Sequence, residues 1–388
     1  MNIIYQYNMS SMSNKTKANI SFAAINPYSE SNIVTPKETL YTGREWVEWG
    51  DSNQYPEFLQ ALYDNVPTLQ SIIEGCVDYA AGDEIVIVPL NDTLEPGVMN
   101  LKGDTIEEQV NDVERDFFQF GGFALQVIRN TQGGIAEVYF IDIRFLRCNK
   151  ECDVFYYSEN WGKGGKKNVV VYPAFMPNLD WNALSDEERN RHASSILYVK
   201  RSRKKTYPVP CYAAAVKACE IERCVDDFHL NAINNGFTGS YIINFNNGVP
   251  EDSIKEEIED SFNEKFSGHE NAGRIGFSWN PNKESATTIE KVEVEDFGEK
   301  YKSLESNSRQ KIFTAFRANP NLFGIPTESL GFSQEEYESA FRLFNRTHVR
   351  PIQRKIADAY DTIYGQKGVL TIVPFSMDEE SATDTIVK

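Results

Sequence analysis

The sequence has no run of eighteen apolar residues, and its N-terminus has no basic segment followed by an apolar one. A membrane-spanning helix needs about 20 consecutive apolar residues, and a secretory signal peptide needs a basic and then an apolar segment. We therefore expect neither feature. Cysteine is also scarce, with six residues in a chain of 388. This density, without a secretion signal, indicates free thiols in a reducing compartment.

The motifs of common enzyme chemistry are missing. The sequence has no Walker A motif, no G-x-S-x-G nucleophile elbow, no kinase signature and no H-E-x-x-H zinc motif. The Gly/Lys segment 162–167 lacks the spacing of a phosphate-binding loop and is typical of a solvated hairpin turn. Cys148 and Cys152 form C-x3-C, but no second Cys or His pair completes a zinc site. We expect no catalytic residue, no metal site and no cofactor.

Positive charge is scarce relative to negative charge. The chain has 57 acidic and 39 basic side chains, which give a formal net charge of −18. Proteins that grip nucleic acid usually present a basic face, so this balance argues against broad phosphate binding. The acidic excess is concentrated in residues 251–300, with 14 acidic and 6 basic side chains. A nucleic acid that slides past the protein without sticking is not excluded.

Hydrophobic periodicity predicts an α+β first half, with antiparallel strands packed on a few helices. Pro67 breaks or kinks the first predicted helix, and Gly121 ends the second. The predicted elements are helices over 56–80 and 106–120, a strand over 84–88, and two hairpins, 123–129 with 135–143 and 154–157 with 169–172.

The second half is dominated by long helices. Pro351 lies inside the last of them and is expected to kink it. Cys211, Cys219 and Cys224 fall in the first of these helices, where thiols act as small buried apolar side chains. The predicted elements are a helix over 211–234, a β-α-β unit over 239–245, 250–266 and 274–279, helices over 299–316 and 334–364, and a strand over 367–375.

The order of motifs after Tyr207 carries a resemblance to a known family. A small-residue helix ends in Asn-Asn-Gly-Phe-Thr-Gly, and an acidic helix between two strands follows. Pro320-Asn321-Leu322-Phe323-Gly324 then precedes a Ser-Gln-Glu-Glu helix start at 333–336. This order resembles the portal proteins of tailed double-stranded DNA bacteriophages. One departure is Arg317-Ala318, where the family usually has glycine followed by a hydrophobic residue.

The resemblance implies an elongated α+β subunit that assembles into a ring. The implied segments are an N-terminal arm (1–44), an α/β wing (45–206), a first stem helix (207–236), a small α/β clip (237–296), a second stem helix (297–317), a tunnel loop (318–333), a long kinked helix (334–364), and a wing strand with an acidic tail (365–388).

The resemblance also implies a structural function and no catalytic activity. Twelve copies would form a homo-oligomeric ring at one capsid vertex of the virion, after assembly in the host cytoplasm. Double-stranded DNA would pass through the channel during packaging and ejection. The implied partners are the terminase large subunit, a head-tail adaptor and the major capsid protein, with no membrane contact. An acidic channel lining would let the duplex slide.

Three sets of residues are candidates for this function. The tunnel-loop candidates are Gly324, Ile325, Pro326, Thr327, Glu328 and Gly331. The candidates for basic side chains facing the channel are Lys300, Lys302, Arg309, Lys311 and Arg317, for which solvation or subunit pairing is the alternative. Arg342, Arg346, Arg350 and Arg354 recur every four residues and form one drifting stripe on the last long helix. This stripe has two alternative interpretations: its arginines form salt bridges with a neighbouring subunit, or they are simply solvated.

Two other classes of protein remain open at this point. One is an intracellular nucleic-acid-processing enzyme whose active site carries no recognised motif. The other is a different structural component of a virion, such as a head-tail adaptor. A ring with a central channel would distinguish the portal hypothesis from both.

Overall fold

The structure is a computed structural model that describes residues 36–88, 94–161, 168–202, 205–234, 241–245, 250–251, 253–255, 275–279, 297–324 and 334–375. The helices in these ranges are α1 (Tyr55–Asn65), α2 (Pro67–Ala81), α3 (Ile106–Phe120), α4 (Asp186–His192), α5 (Val216–Asn234), α6 (Phe297–Phe316), α7 (Gln334–Phe344) and α8 (Arg350–Tyr364). The strands are β1 (Glu38–Thr39), β2 (Glu48–Trp49), β3 (Glu84–Ile87), β4 (Gly122–Arg129), β5 (Ile135–Ile141), β6 (Leu146–Cys148), β7 (Val154–Tyr157), β8 (Val170–Pro173), β9 (Ser194–Lys200), β10 (Tyr241–Phe245), β11 (Ile275–Trp279) and β12 (Leu370–Val373). No helix in the described ranges has the length and apolar character needed to cross a membrane.

The first helices follow their sequence signals closely. Pro67 ends α1 and begins α2, with Val66 between them in an extended conformation. A proline fits the first turn of a helix because the N–H it lacks would have no partner there. Thr105 and Glu108 form a capping box at the start of α3, and Gly121 ends α3 in a left-handed conformation with φ +86°. The predicted helix over 106–120 and the break at Pro67 are confirmed.

The predicted hairpins form antiparallel sheets. One sheet has the order β5-β4-β9, with Val127 opposite Val138 and Leu125 opposite Leu197. A second sheet has the order β6-β7-β8, and β12 pairs antiparallel with β3. By contrast, β10 and β11 pair in parallel, as a β-α-β connection requires. The Gly/Lys turn 162–167 and most of the predicted helix over 250–266 lie outside the described residues. The mixed α+β class is confirmed.

The start of the first long helix differs from the prediction. Residues Ala213–Ala215 form a 3-10 turn, and α5 begins at Val216 rather than at Cys211. The predicted burial of the three thiols is therefore right only for Cys219. Cys211 precedes the helix and is half-buried, and Cys224 lies on its exposed face.

The last long helix is interrupted as Pro351 predicts, but the interruption begins earlier. A π-helical turn, Asn345–Val349, joins α7 to α8, and Pro351 is the second residue of α8. A proline has no N–H to donate, and its ring clashes with the carbonyl four residues before it, here Thr347. A wider five-residue turn relieves this conflict, and π-turns occur as such local insertions.

Helix α3 buries two carboxyl groups, of which Asp116 accepts a hydrogen bond from the Ile143 N–H and Glu114 has no partner among the described residues. Glu114 has 0% exposure, and neither side-chain oxygen has a hydrogen-bond partner in the described part of the chain. Burial raises the pKa of Glu114 well above its ordinary value, and the neighbouring Arg115 only partly opposes this. The folded protein therefore holds this carboxyl group protonated at pH values where the unfolded chain has released the proton.

We predict that Glu114→Gln changes the pH dependence of stability. The folded pKa is raised, so the wild-type free energy of unfolding falls as pH rises above the unfolded pKa of about 4.3. The variant lacks this loss and gains up to about 1.4 kcal/mol relative to wild type per pH unit. Urea denaturation between pH 4.5 and 7.5 measures the difference. Glu107→Gln, on the exposed side of α3, is the control, and parallel pH profiles for Glu114→Gln and wild type would contradict the prediction.

Candidate ring interface and channel surface

Helices α5 and α6 form an antiparallel pair. Phe228 stacks on Tyr301 with ring centroids 4.8 Å apart, and Tyr212, just before α5, stacks on Phe316 at 5.2 Å. The order of contacts is reversed between the two segments, which defines the antiparallel direction. Tyr212 and Phe316 are fully buried, whereas Phe228 is 46% exposed. The pair thus has a buried base and an exposed far end.

The base of this pair is fixed to the first half of the chain. The Thr68 hydroxyl of α2 donates a hydrogen bond of 2.6 Å to Glu222 Oε1 of α5. The Tyr212 hydroxyl donates to the carbonyl of Gln119 at the end of α3 over 2.8 Å. These buried polar contacts specify how α5 sits on α2 and α3, because a buried donor without an acceptor costs about 1–3 kcal/mol.

Large apolar side chains remain exposed on the helix pair. Ile221 and Phe228 are seven residues apart, which places them about 20° apart on one face of α5. Leu230 of α5 and Leu304 of α6 are also exposed, at 58% and 44%. Leu230 lies about 180° from Ile221 around α5, so only Ile221 and Phe228 share a face of this helix. In a single subunit these side chains are exposed to water.

Two arginines of the helix pair are neutralised by acidic side chains of their own helices. Arg223 pairs with Asp227 at 2.7 Å, and Arg309 pairs with Glu305 at 2.7 Å. Such exposed pairs four residues apart contribute about 0.3–0.5 kcal/mol each. Burial raises the pKa of Asp226, and repulsion by the nearby Glu305 adds to this. The local field is therefore not strongly positive despite the arginines.

The structure does not bring the five channel-facing candidates onto one helix face. Lys302 and Arg309 lie about 20° apart around α6, whereas Lys311 lies on the opposite side, about 180° from Lys302. Lys302 and Lys311 are exposed, and Arg309 is held by Glu305. The side chain of Lys300 is outside the described part of the structure. Whether any of them faces a channel stays a prediction.

The backbone conformation of Arg317 ends helix α6, and the charge of its side chain has no part in this. It has φ +53° and follows α6 directly, at the position where glycine most often ends a helix. Its N–H donates to the carbonyl of Thr314, and the next N–H, of Ala318, donates to that of Phe313. These two bonds define a Schellman motif. The departure from glycine leaves the loop shape intact and costs roughly 1 kcal/mol of backbone strain.

The four arginines of the stripe are all exposed on α7, the π-turn and α8. Arg342 pairs with Glu338 of its own helix at 3.4 Å, and Arg354 donates to the carbonyl of Arg350. Within the described residues, Arg346 and Arg350 form no ion pair with an acidic side chain. Of the four, only Arg342 is paired with an acidic side chain among the described residues, so Arg346 and Arg350 fit a role toward another molecule better than Arg342 does.

His348 has a structural role at the same turn. Its ring stacks between Phe344 and Phe118, with centroids 5.1 and 5.7 Å away. Burial, with Arg201 and Arg317 nearby, lowers the pKa of His348 to about 4. The imidazole is neutral at pH 7, so it adds no charge to the arginine stripe.

The ends of the predicted tunnel loop are anchored by aromatic packing. Pro320–Phe323 forms a 3-10 turn, and the Tyr79 hydroxyl of α2 donates to the carbonyl of Leu322 over 2.7 Å. The ring of Phe323 lies 6.0 Å from Tyr79 and 5.8 Å from Phe344 of α7. Gly324 has φ +71° and ends the turn. The other loop candidates, Ile325, Pro326, Thr327, Glu328 and Gly331, lie outside the described residues.

Sequence reasoning missed Tyr79 and Gly75, which form this anchor. A Cβ at Gly75 would lie 2.7 Å from Cδ1 of Phe323, so the glycine lets the aromatic ring approach the helix backbone. A glycine within a strongly apolar helix was the available signal, because it destabilises a helix unless close packing requires it.

The sequence model of the phage portal protein family matches residues 104–384, which is more than half of the chain. The chain belongs to this family. The recognition of a portal protein from sequence is thereby confirmed. None of the curated proteins compared with the chain matches it.

Solved structures share the portal fold. A chain from the virion of a native gene transfer agent (GTA) particle has a TM-score of 0.53 at 15% identity, over 89% of this chain and 87% of that one. A chain from the neck of the native GTA particle, computed with C12 symmetry, has a TM-score of 0.51 at 16% identity, over 84% and 85%. The neck of the empty particle, computed with C6 symmetry, gives 0.52 at 14% identity, over 89% and 88%. At these identities the likeness is one of fold.

We predict that Gly75→Ala destabilises this portal-family chain. Gly→Ala inside a helix usually stabilises by about 0.5–1 kcal/mol, but here the new methyl group overlaps the Phe323 ring. We expect a loss of about 1–3 kcal/mol, measured by chemical denaturation. In the Phe323→Leu background the cost of Gly75→Ala is expected to shrink, since the overlapping ring is gone. A Gly75→Ala variant more stable than wild type would refute the proposed contact.

Proposed function

We propose that this chain is the subunit of a twelve-membered ring with a central channel for double-stranded DNA at one capsid vertex. The observation that carries the proposal is the family match over residues 104–384. The exposed apolar face of the α5–α6 pair supports it, because a neighbouring copy would cover Ile221 and Phe228. The C12 symmetry of the neck of the native GTA particle favours twelve copies.

The proposed segments follow the sequence interpretation. The α5–α6 pair serves as the stem, residues 45–206 with β12 as the wing, 237–296 as the clip, and 318–333 as the tunnel loop. The antiparallel pairing of β12 with β3, a strand within residues 45–206, supports the assignment of β12 to the wing. A stem with a buried base suits a channel wall, since helices packed on a rigid core hold their direction.

The proposed mechanism is passage of DNA without tight binding. The net charge of −18 disfavours phosphate, and the intrahelical pairing of Arg223 and Arg309 removes two cations from contact with it. Each phosphate contact adds affinity and slows sliding, so a channel gains from having few. The chain itself performs no chemistry in this proposal. The terminase large subunit drives the DNA, while a head-tail adaptor and the major capsid protein bind the ring, in a virion assembled in the host cytoplasm.

The ring is tested by the mass of the purified full-length protein. Twelve copies of 44.2 kDa predict one closed species in native mass spectrometry, and negative-stain images should show a central channel. A monomer or dimer at every protein and salt concentration would be incompatible with the proposal.

We predict that Arg346→Glu combined with Arg350→Glu weakens ring assembly. Both side chains are exposed and lie on the stripe proposed to meet acidic groups of a neighbouring copy, where reversed charges would repel. Native mass spectrometry should show a shift from ring to smaller species. The control, Lys102→Glu with Arg191→Glu, makes the same change in net charge at exposed positions elsewhere. An unchanged ring in the stripe variant would favour plain solvation of the arginines.

We predict that replacing residues 325–332 with a Gly/Ser segment of equal length spares the ring but impairs DNA packaging. The aromatic anchors at Phe323 and Phe344 are untouched, so the fold should hold. DNA content of particles made with the variant is the measurement, and ring mass is the control. Normal filling with DNA would refute the assignment of a tunnel loop.

A further inference from the structure

Cys148 and Cys152 lie close together in a tightly held turn. The two Sγ atoms are 3.7 Å apart, and Cys152 has a left-handed backbone with φ +58°. Asn149 holds the turn, because its Oδ1 accepts hydrogen bonds from the N–H groups of Asp153 and Val154, at 3.1 and 3.3 Å. The two thiols therefore face each other before any reaction takes place.

A lysine is fixed beside one of these two thiols. Lys200 Nζ lies 3.6 Å from Cys152 Sγ and also donates to the carbonyls of Lys205 and Thr206, at 2.7 and 3.0 Å. These three partners fix the position of the ammonium group, so its positive charge stays next to the Cys152 sulfur. The Glu38 carboxylate, which accepts from the Thr206 N–H, is the negative group facing the same site and opposes this effect.

The two thiols differ in exposure and in acidity. Cys148 is 1% exposed, whereas Cys152 is half-buried. The hydrogen bond from the Cys148 thiol, followed by the charge of Lys200, lowers the pKa of Cys152 to about 7 against the effect of burial. The same hydrogen bond and burial raise the pKa of Cys148. An accessible thiolate beside a protonated buried thiol is the usual arrangement of an attacking and a resolving cysteine.

We propose that Cys152 and Cys148 form a redox-active dithiol that reacts with small-molecule disulfides. The Cys152 thiolate attacks one sulfur of the reagent, whose S–S bond breaks, and the other half leaves as a thiolate. Cys148 then gives its proton to solvent and attacks Cys152 Sγ, which expels the second half. The two protein thiols are oxidised to one disulfide, and the reagent disulfide is reduced to two thiols. The sulfurs need to close from 3.7 Å to about 2.05 Å.

This reactivity is independent of ring assembly and of DNA. It explains why a C-x3-C pair without further metal ligands is held so firmly. Among the described residues no cluster of three or more His, Cys, Asp or Glu side chains is arranged to hold a metal ion. The pair lies next to the segment that leads from β9 to the first stem helix, through the contacts of Lys200 with Lys205 and Thr206.

The test uses the aromatic disulfide dithionitrobenzoate (DTNB) on the full-length chain carrying Cys224→Ser, which removes the exposed thiol of α5. At pH 7 we expect a fast phase that releases two nitrothiobenzoate ions per chain and leaves no adduct mass. Peptide mapping should show a Cys148–Cys152 disulfide. The other thiols should react slowly, since burial raises the pKa of Cys76, of Cys211 to about 11 and of Cys219 to about 12.

Three further variants separate the roles of the residues. Cys148→Ser should release one ion and keep the nitrothiobenzoate adduct, and Cys152→Ser should slow the fast phase about tenfold or more. Lys200→Met, of similar length and without charge, should raise the pH midpoint of the fast phase above 7 toward the ordinary thiol value of about 8.5. A retained adduct in the Cys224→Ser parent, or a fast phase that survives Cys152→Ser, would overturn the proposal.

Discussion

The aromatic cluster around Tyr79 is the contact that joins the first and second halves of the described structure. The Tyr79 ring lies within 6.0 Å of four other rings, those of Phe323, Phe341, Phe344 and Phe375. Each such pair contributes about 0.5–1.5 kcal/mol beyond simple burial. The cluster joins α2 to segments more than 240 residues later, so the sheets of the first half and the helices of the second half share one hydrophobic core.

This shared core connects the α5–α6 pair to the rest of the described structure. The α5–α6 pair is attached at its base through Tyr212 and Phe316, and α6 reaches the Tyr79 cluster through Phe313, 6.0 Å from Phe323. Movement of this helix pair would therefore disturb the packing of Phe323. Under the proposed function, forces that neighbouring copies exert on the pair would reach the hydrophobic core through these contacts.

Sequence reasoning succeeded where the signal was local. The helix over 106–120 with its end at Gly121, and the hairpin of β4 with β5, each depend on residues within one turn or hairpin. It failed on two helix boundaries: α5 starts at Val216 after a 3-10 turn, and the widened turn lies before Pro351 rather than at it. The anchor at Tyr79 was not predictable, because its partners are fixed only when distant helices meet.

For the candidate site, the four-residue spacing of the arginines indicates a stripe whose side chains are all exposed, and a contact with a neighbouring subunit stays a prediction. The nine-residue spacing of Lys302 and Lys311 places them on opposite sides of α6. Ion pairs such as Arg309–Glu305 further reduce the attraction of this helix for phosphate. A duplex beside the α5–α6 pair would meet two arginines already paired with acidic neighbours, Arg223 and Arg309, and two exposed lysines, Lys302 and Lys311. Under the proposed function, the pairing of the two arginines adds to the overall acidity of the chain in keeping DNA free to slide.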